Sequence, residues 1–220
     1  MTGAAEPGVA LMHAMRRVRK ELGQDNRYAH VLRVARLAER LARAHGEDVR
    51  KARLAGLLHD LARLCSADRL LEECRTRGMP IDAFELANPM VLHARLGAEF
   101  ARDFYGVDDE AILSAICKHT VAAAEMSRLD TIVFLADGLE PGRTFAARAG
   151  YEQLALHDLD AAMRAVLTST AGYLHERGLE IAPQTRAAAA AFGVRLASVS
   201  ESRRETSQAS PPPAPQDAVA

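Results

Sequence analysis

No run among the 220 residues reaches the roughly 18 consecutive apolar positions of a membrane-spanning helix. The opening MTGAAEPGVALMHAMRRVRK carries its charges after its apolar stretch, where a secretory signal has them before it. Membrane and export readings are therefore set aside. Net charge is nearly absent as well. The formal value is −1, from 28 basic and 29 acidic side chains, so no global field argues for nucleic acid or an anionic membrane as partner. Lysine is confined to Lys20, Lys51 and Lys118, which makes any cationic site local and mostly arginine. Cys65, Cys74 and Cys117 form no CxxC, and an odd number of cysteines without an export signal predicts reduced, buried thiols in a cytoplasmic protein. Cys117 precedes His119 by two positions, an offset that places the two on nearly opposite faces of a helix and argues against a shared ligand role. There is no internal repeat. The only β-branched cluster, Thr131-Ile132-Val133-Phe134, would have no partner as a strand and reads as buried helix.

Helix signals fill the rest. Hydrophobic residues make up 49% and charged residues 26%, the balance of a globular domain long enough to bury a sizeable core. Val31, Val34, Ala35, Ala38, Leu41 and Ala42 keep helical spacing, with Gly46 placed to end the helix. Ser66 is placed to cap a helix to Arg77, ended by Gly78-Met79-Pro80; Pro89 opens a segment through Tyr105, closed by Gly106. Asp108 is expected to cap a helix to about Lys118, and further helices are expected over 128–139, 158–177 and 184–196. The fold class is all-α, helices packed on helices. Residues 1–7 are expected to fray, 8–197 to form the domain, and the Ser/Pro-rich 198–220 to be a disordered tail with little to bury.

Into this apolar background the chain sets polar groups that should be desolvated. Four of its eight histidines stand where helices face inward: His30 in RYAHVLRVA, His59 in LLHDLARL, His93 in VLHARLGAEFA and His119 in AICKHT. Asp60 and Asp137 have the same character. Any one of these taken alone is an ordinary core histidine or a cap. Together they would cost several kcal/mol each to bury without partners. A metal centre satisfies all six, because neutral imidazole and ionised carboxylate are metal ligands. Adjacent helical residues point about 100° apart, so His59 and Asp60 can flank one cavity, with the Asp60 carboxylate able to bridge two cations. Six ligands exceed one tetrahedral site but suit two ions. His13, His45, His157 and His175 lack this context and read as solvated, His45 at a helix C-terminus.

The ordered set His30, His59-Asp60, His93, His119, Asp137 resembles the HD-domain metal-dependent phosphohydrolases. Its local sequences look closer still to one branch, the bacterial symmetrical diadenosine tetraphosphate hydrolases of the YqeK type. The matching pieces are RYAHVLRVA, AGLLHDLAR, HARLGAEFA, AICKHT and LDTIVFLADGLEPGR, within about residues 10–195. The resemblance implies an HD-type helical bundle in which His30, His59, Asp60 and Asp137 hold one ion and Asp60, His93 and His119 the second. It implies two transition-metal ions, iron first; imidazole-rich sites equally suit manganese or zinc. It implies hydrolysis of a nucleotide substrate, a dinucleoside polyphosphate cut into two ADP, with Asp60 catalytic. Arg143 and Arg63 are the candidates to bind phosphate, with Arg27, Lys118 and Thr120 behind them. Two positions depart from the pattern. Arg63 stands where the family commonly has lysine, and Val121–Glu125 replaces a Gly-Arg-Pro-like segment, which bears on substrate choice more than on metal. Two alternatives stay open: the same centre acting on another nucleotide, and a non-catalytic nucleotide-binding protein. The oligomeric state is also left open, a homodimer included.

Overall fold

The structure, a computed structural model, describes residues 14–20, 23 and 25–196. The expected frayed start and Ser/Pro-rich tail lie outside them. The described residues contain helices, turns and loops and no strand. After α1 (14–20) come α2 (Asp25–His45), α3 (Val49–Leu58), α4 (Ala67–Thr76), α5 (Ala83–Ala87), a 3-10 turn (Pro89–Val91) and α6 (Leu92–Tyr105). They are followed by α7 (Glu110–Lys118), α8 (Arg128–Leu139), α9 (Arg148–His157), α10 (Leu159–Glu176) and α11 (Pro183–Ala191).

Helix α2 is the axis of the bundle and packs against α3, α8 and α9. All six apolar positions picked out by its spacing are buried. They meet Leu58 of α3 and Ile132, Leu135 and Leu139 of α8 in one core, where burying each large side chain contributes roughly 1.5–3 kcal/mol. The Thr131–Phe134 cluster lies inside α8 and is buried throughout, so its β-branched residues serve helix packing. A smaller core joins α4 to α6 through Leu70, Cys74, Leu92, Leu96 and Phe100. Two glycines set the spacing around the future site. A Cβ on Gly56 would come within 2.9 Å of the Ala35 Cα, so α3 lies directly on α2. A Cβ on Gly97 would stand 3.2 Å from the His59 carbonyl oxygen, which lets α6 close on the turn after α3.

Several boundaries differ from the sequence expectation. Asp109, not Asp108, caps α7, accepting from the Ala111 and Ile112 amides. The segment from Pro89 begins as a 3-10 turn, and α11 stops at Ala191. Helices α5 and α9 were not foreseen: one is a single turn and the other carries its apolar residues on a narrow face. His45 is half-buried rather than freely solvated, its Nε2 2.6 Å from the Ala155 carbonyl. Among the cysteines only Cys74 is buried, Cys65 and Cys117 are half-buried, and none is in a disulfide.

Candidate metal centre

The site is built largely from helix ends. His59 caps the C-terminus of α3, His119 caps the C-terminus of α7, and His93 is the second residue of α6. Asp137 lies in the last turn of α8, and His30 faces inward from α2. The His59-Asp60 pair is therefore not mid-helix as expected. Asp60 lies in consecutive tight turns, closed by bonds such as Arg63 amide to Asp60 carbonyl at 3.0 Å. The turn delivers what a helix was expected to deliver: both side chains point into one cavity.

All six groups converge. Asp60 is central, its Oδ2 3.7 Å from the Nε2 atoms of both His30 and His59 and its Oδ1 3.5 Å from His93 Nε2. Asp137 Oδ1 lies 3.2 Å from His30 Nε2 and 3.8 Å from His59 Nε2. Three donor triads lie close enough to share a cation: His30–His59–Asp60, His59–His119–Asp137 and Asp60–His93–His119. His30, His59, Asp60, His93 and His119 are buried and Asp137 is half-buried.

Tautomers make the case for a cation. His59 Nδ1 donates to the Gly56 carbonyl at 2.8 Å, His93 Nδ1 to Met90 at 2.5 Å and His119 Nδ1 to Ile116 at 2.7 Å. His30 Nδ1 donates to Glu140 Oε1 at 3.1 Å. With every Nδ1 committed as a donor, each neutral ring presents its Nε2 lone pair to the shared cavity. The Nε2 atoms of His30 and His59 are buried without a hydrogen-bond partner. Those of His93 and His119 face each other at 3.2 Å, and the Thr120 hydroxyl beside them has a single proton, enough for one of the two. This donor set, imidazole-rich with two carboxylates and with the His30 and His59 Nε2 atoms left unpartnered, fits a transition metal.

Burial and the neighbouring charges set the protonation of these groups. Burial, reinforced by His59 and His93, pushes the His119 imidazolium down to about 3, so this ring is neutral. Burial likewise lowers His93, aided by the nearby Arg63 charge. Burial also acts on His30, but Asp137 and Glu140 outweigh it and raise its pKa. Burial favours protonated Asp60 and Asp137. The surrounding imidazoles reverse that and hold Asp60 below, and Asp137 well below, the ordinary carboxylate range.

The substrate-side candidates divide. Arg27 Nη1 lies 2.9 Å from Asp60 Oδ2, and Arg143 Nη2 lies 2.5 Å from Asp137 Oδ1. Thr120 Oγ1 lies 3.0 Å from His119 Nε2 and 3.2 Å from His93 Nε2. Arg63 is half-buried near His93 with no ion pair among the described residues. Lys118 turns elsewhere: its ammonium is 2.8 Å from the buried Asp130, which also accepts from the Ser127 amide at the start of α8. The divergent segment after Thr120 contains buried Ala122 at φ 60°, a left-handed turn that favours glycine. Sequence reasoning missed Glu140. It is buried, accepts from His30, Arg33 and the Gly142 amide, and is held down to about 2 by Arg33 and these bonds against the effect of burial. It stands just past the end of α8, and only its contact with His30 marks it as part of the site.

The HD domain family matches residues 27–142. The "Bis(5'-nucleosyl)-tetraphosphatase, symmetrical" of Halalkalibacterium halodurans is 34% identical over 163 residues, covering 74% of this chain and 87% of that protein. The "Probable nicotinate-nucleotide adenylyltransferase/Ap4A hydrolase" of Mycoplasma genitalium is 40% identical over 124 residues, 56% of this chain, which spans only 35% of that protein's length. A crystal structure from Clostridium acetobutylicum, described as a predicted HD superfamily hydrolase involved in NAD metabolism, superposes with a TM-score of 0.79 at 32% identity. It covers 83% of this chain and 96% of its own. Together with the ordered His and Asp constellation, these matches show that the chain belongs to the HD-domain family, in the group of the symmetrical bis(5'-nucleosyl)-tetraphosphatases.

Proposed function

We propose that this chain hydrolyses diadenosine tetraphosphate at its central anhydride, releasing two ADP. The observation that carries the reading is the convergence of four Nε2 lone pairs and two ionised carboxylates on one cavity. The name of the H. halodurans relative supplies the symmetrical cut of a dinucleoside tetraphosphate, and that of the M. genitalium relative the adenosine. His30, His59, Asp60 and Asp137 would hold one cation and Asp60, His93 and His119 a second. We assign iron, with manganese and zinc as competitors for the same donors. Bound there, such ions supply positive charge for phosphate oxygens and make water acidic enough to attack.

The chain's own groups do the rest. Asp60, central and ionised, is the carboxylate shared between the two halves of the site. Arg143 and Arg27 stand on the two carboxylates, and their planar guanidinium forks suit the phosphate chain. Arg63 brings an uncommitted positive charge beside His93. The Thr120 hydroxyl can donate to a substrate oxygen near His119. Lys118 supports the site through Asp130 and the start of α8, without touching substrate. In the overall reaction one water adds to phosphorus and the central P–O–P bond breaks, leaving charge on the departing ADP that the arginines neutralise. None of the three cysteines is disulfide-bonded, which fits a reducing compartment, and we place the protein in the cytoplasm.

The test is product analysis on metal-loaded protein. ADP as the sole nucleotide product is expected, and Arg143→Ala should lower turnover while leaving metal content intact. A mixture of ATP and AMP rejects the central cut. Rapid cleavage of a different nucleotide, with diadenosine tetraphosphate untouched, rejects the substrate.

A further inference from the structure

The chain has few aromatic side chains, four tyrosines and six phenylalanines with no tryptophan. Three of them, Phe145, Tyr151 and Tyr173, line one cavity of about 250 Å³ between the end of α8, α9 and α10. Phe145 and Tyr173 are 42% and 52% exposed, and the Arg177 guanidinium lies 4.6 Å from the centroid of the Tyr173 ring. The rings of Phe145 and Tyr151 are tilted at 51° with centroids 6.2 Å apart. Ser169 and Thr170 add hydroxyls that bond to nothing among the described residues. Ligand pockets for larger molecules run to roughly 300–1,000 Å³, so this one takes a single ring system and not a whole dinucleotide.

Its position gives it meaning. The cavity is lined by Gly138, the residue directly after Asp137. Arg143, bonded to Asp137, precedes Phe145 by two positions. Metal ligand, phosphate-binding arginine and aromatic wall therefore follow one another along a single stretch of chain. Gly138 is itself unexplained by folding. It lies inside α8 without a positive φ, so its backbone freedom is unused. It is half-buried, yet a Cβ built on it meets nothing within 4 Å, unlike those on Gly56 and Gly97. Glycine weakens a helix relative to alanine. What its missing side chain preserves here is the open floor of the cavity.

We propose that this cavity is the base subsite, where one purine of the dinucleotide stacks against Phe145, Tyr151 and Tyr173 while Ser169 and Thr170 meet its polar edge. The assignment rests on the hydrolase reading for its substrate, but it makes a separate claim: nucleotide affinity comes from the base as well as from phosphate. Stacking on aromatic side chains tolerates any base, so the site selects purines by ring area more than by hydrogen bonding.

The test uses full-length, metal-loaded protein with two ligands, ADP and inorganic pyrophosphate, the second lacking a base. Gly138→Leu fills the floor, and Tyr173→Ala removes one wall at an exposed position where the fold survives. Both should weaken ADP binding and raise the KM for diadenosine tetraphosphate about tenfold, the scale of one lost stacking contact. Pyrophosphate affinity and metal content should not move. Gly138→Ala should raise the melting temperature by about 1–4 °C while weakening ADP, stability and affinity moving in opposite directions. Gly172→Ala, at an exposed helical glycine outside the cavity lining, should raise it without affecting ADP. Unchanged ADP affinity in both Gly138→Leu and Tyr173→Ala overturns the subsite, as does a parallel loss of pyrophosphate affinity. Loss of ADP binding in both variants of a protein whose wild type leaves diadenosine tetraphosphate intact upholds the subsite and sinks the hydrolase reading. Cleavage with unaltered KM in both variants does the reverse.

Discussion

Replacing Glu140 by glutamine is the sharpest probe of how the centre is held. The carboxylate is 2% exposed and receives three donors on two oxygens: His30 Nδ1–H, the Arg33 guanidinium and the Gly142 amide. An amide keeps one acceptor oxygen and turns an NH₂ toward a donor, so at least one bond is lost and the Arg33 charge loses its counter-ion. Charge-assisted bonds contribute about 1.5–3 kcal/mol each. Breaking a wholly buried pair costs about 3–5 kcal/mol. The Arg33 side chain is 35% exposed and can rehydrate, so the smaller figure governs and about 2 kcal/mol is expected. For a chain of this size that lowers the melting temperature of the metal-free protein by about 4–8 °C. The second effect is on the metal. His30 would lose the negative charge that raises its basicity, and such changes reduce affinity about 10–100-fold. Calorimetry and competition with a chelator of known affinity measure the two effects separately. A melting temperature that falls as expected while metal affinity stays within about twofold would show that His30 does not hold a cation through this arrangement, and the ligand assignment would fail with it.

Three further outcomes follow from the same geometry. Asp60→Asn should lower metal content at both halves of the site, because a neutral amide is a poor bridge. Full occupancy by elemental analysis refutes the shared role. Gly56→Ala gains up to about 1 kcal/mol of helix propensity but drives a methyl into the α2 backbone at an overpacking cost of about 1–3 kcal/mol, so a net loss is expected, and a raised melting temperature would contradict the packing described. Glu152 is buried between Arg40 and Arg148, whose hydrogen bonds outweigh burial and depress its pKa below 4.5. A depressed carboxylate stabilises the fold above its unfolded pKa and loses that contribution as pH falls through the folded value. Glu152→Gln should therefore be less stable than wild type at pH 7, the gap closing below about pH 4; a gap independent of pH would show that the ion pairs contribute nothing.

The four inward histidines and two aspartates were legible because each interrupts an apolar run, a pattern that survives without any three-dimensional information. The central helix α2 was legible for the same reason. What escaped was whatever depends on a partner distant in sequence. Glu140 is an unremarkable acid before a proline until His30, 110 positions earlier, is placed against it. Lys118 looked like a site residue by its neighbour His119, but side-chain direction carried it to Asp130. His59-Asp60 was read as helix because the apolar pattern continues through Leu64, whereas the backbone leaves the helix at Leu58 and tight turns hold the pair. Pattern reports which residues are buried, not which backbone presents them.

Three of the four imidazoles are aimed by a carbonyl exactly one turn upstream in their own segment: Gly56 for His59, Met90 for His93, Ile116 for His119. An anchor made of main chain has no side chain to lose. Random substitution at 56, 90 or 116 can disturb packing but cannot delete the acceptor, and each ring acquires its direction as soon as its local turn forms, before the helices dock. The proposed centre thus has three candidate ligands oriented independently of assembly. The fourth candidate, His30, is aimed by Glu140 and so depends on the end of α8 having closed over it. In a deep mutational scan for metal retention, sensitivity outside the ligands should concentrate on the 140–142 turn and Arg33, not on the residues beside the other three histidines.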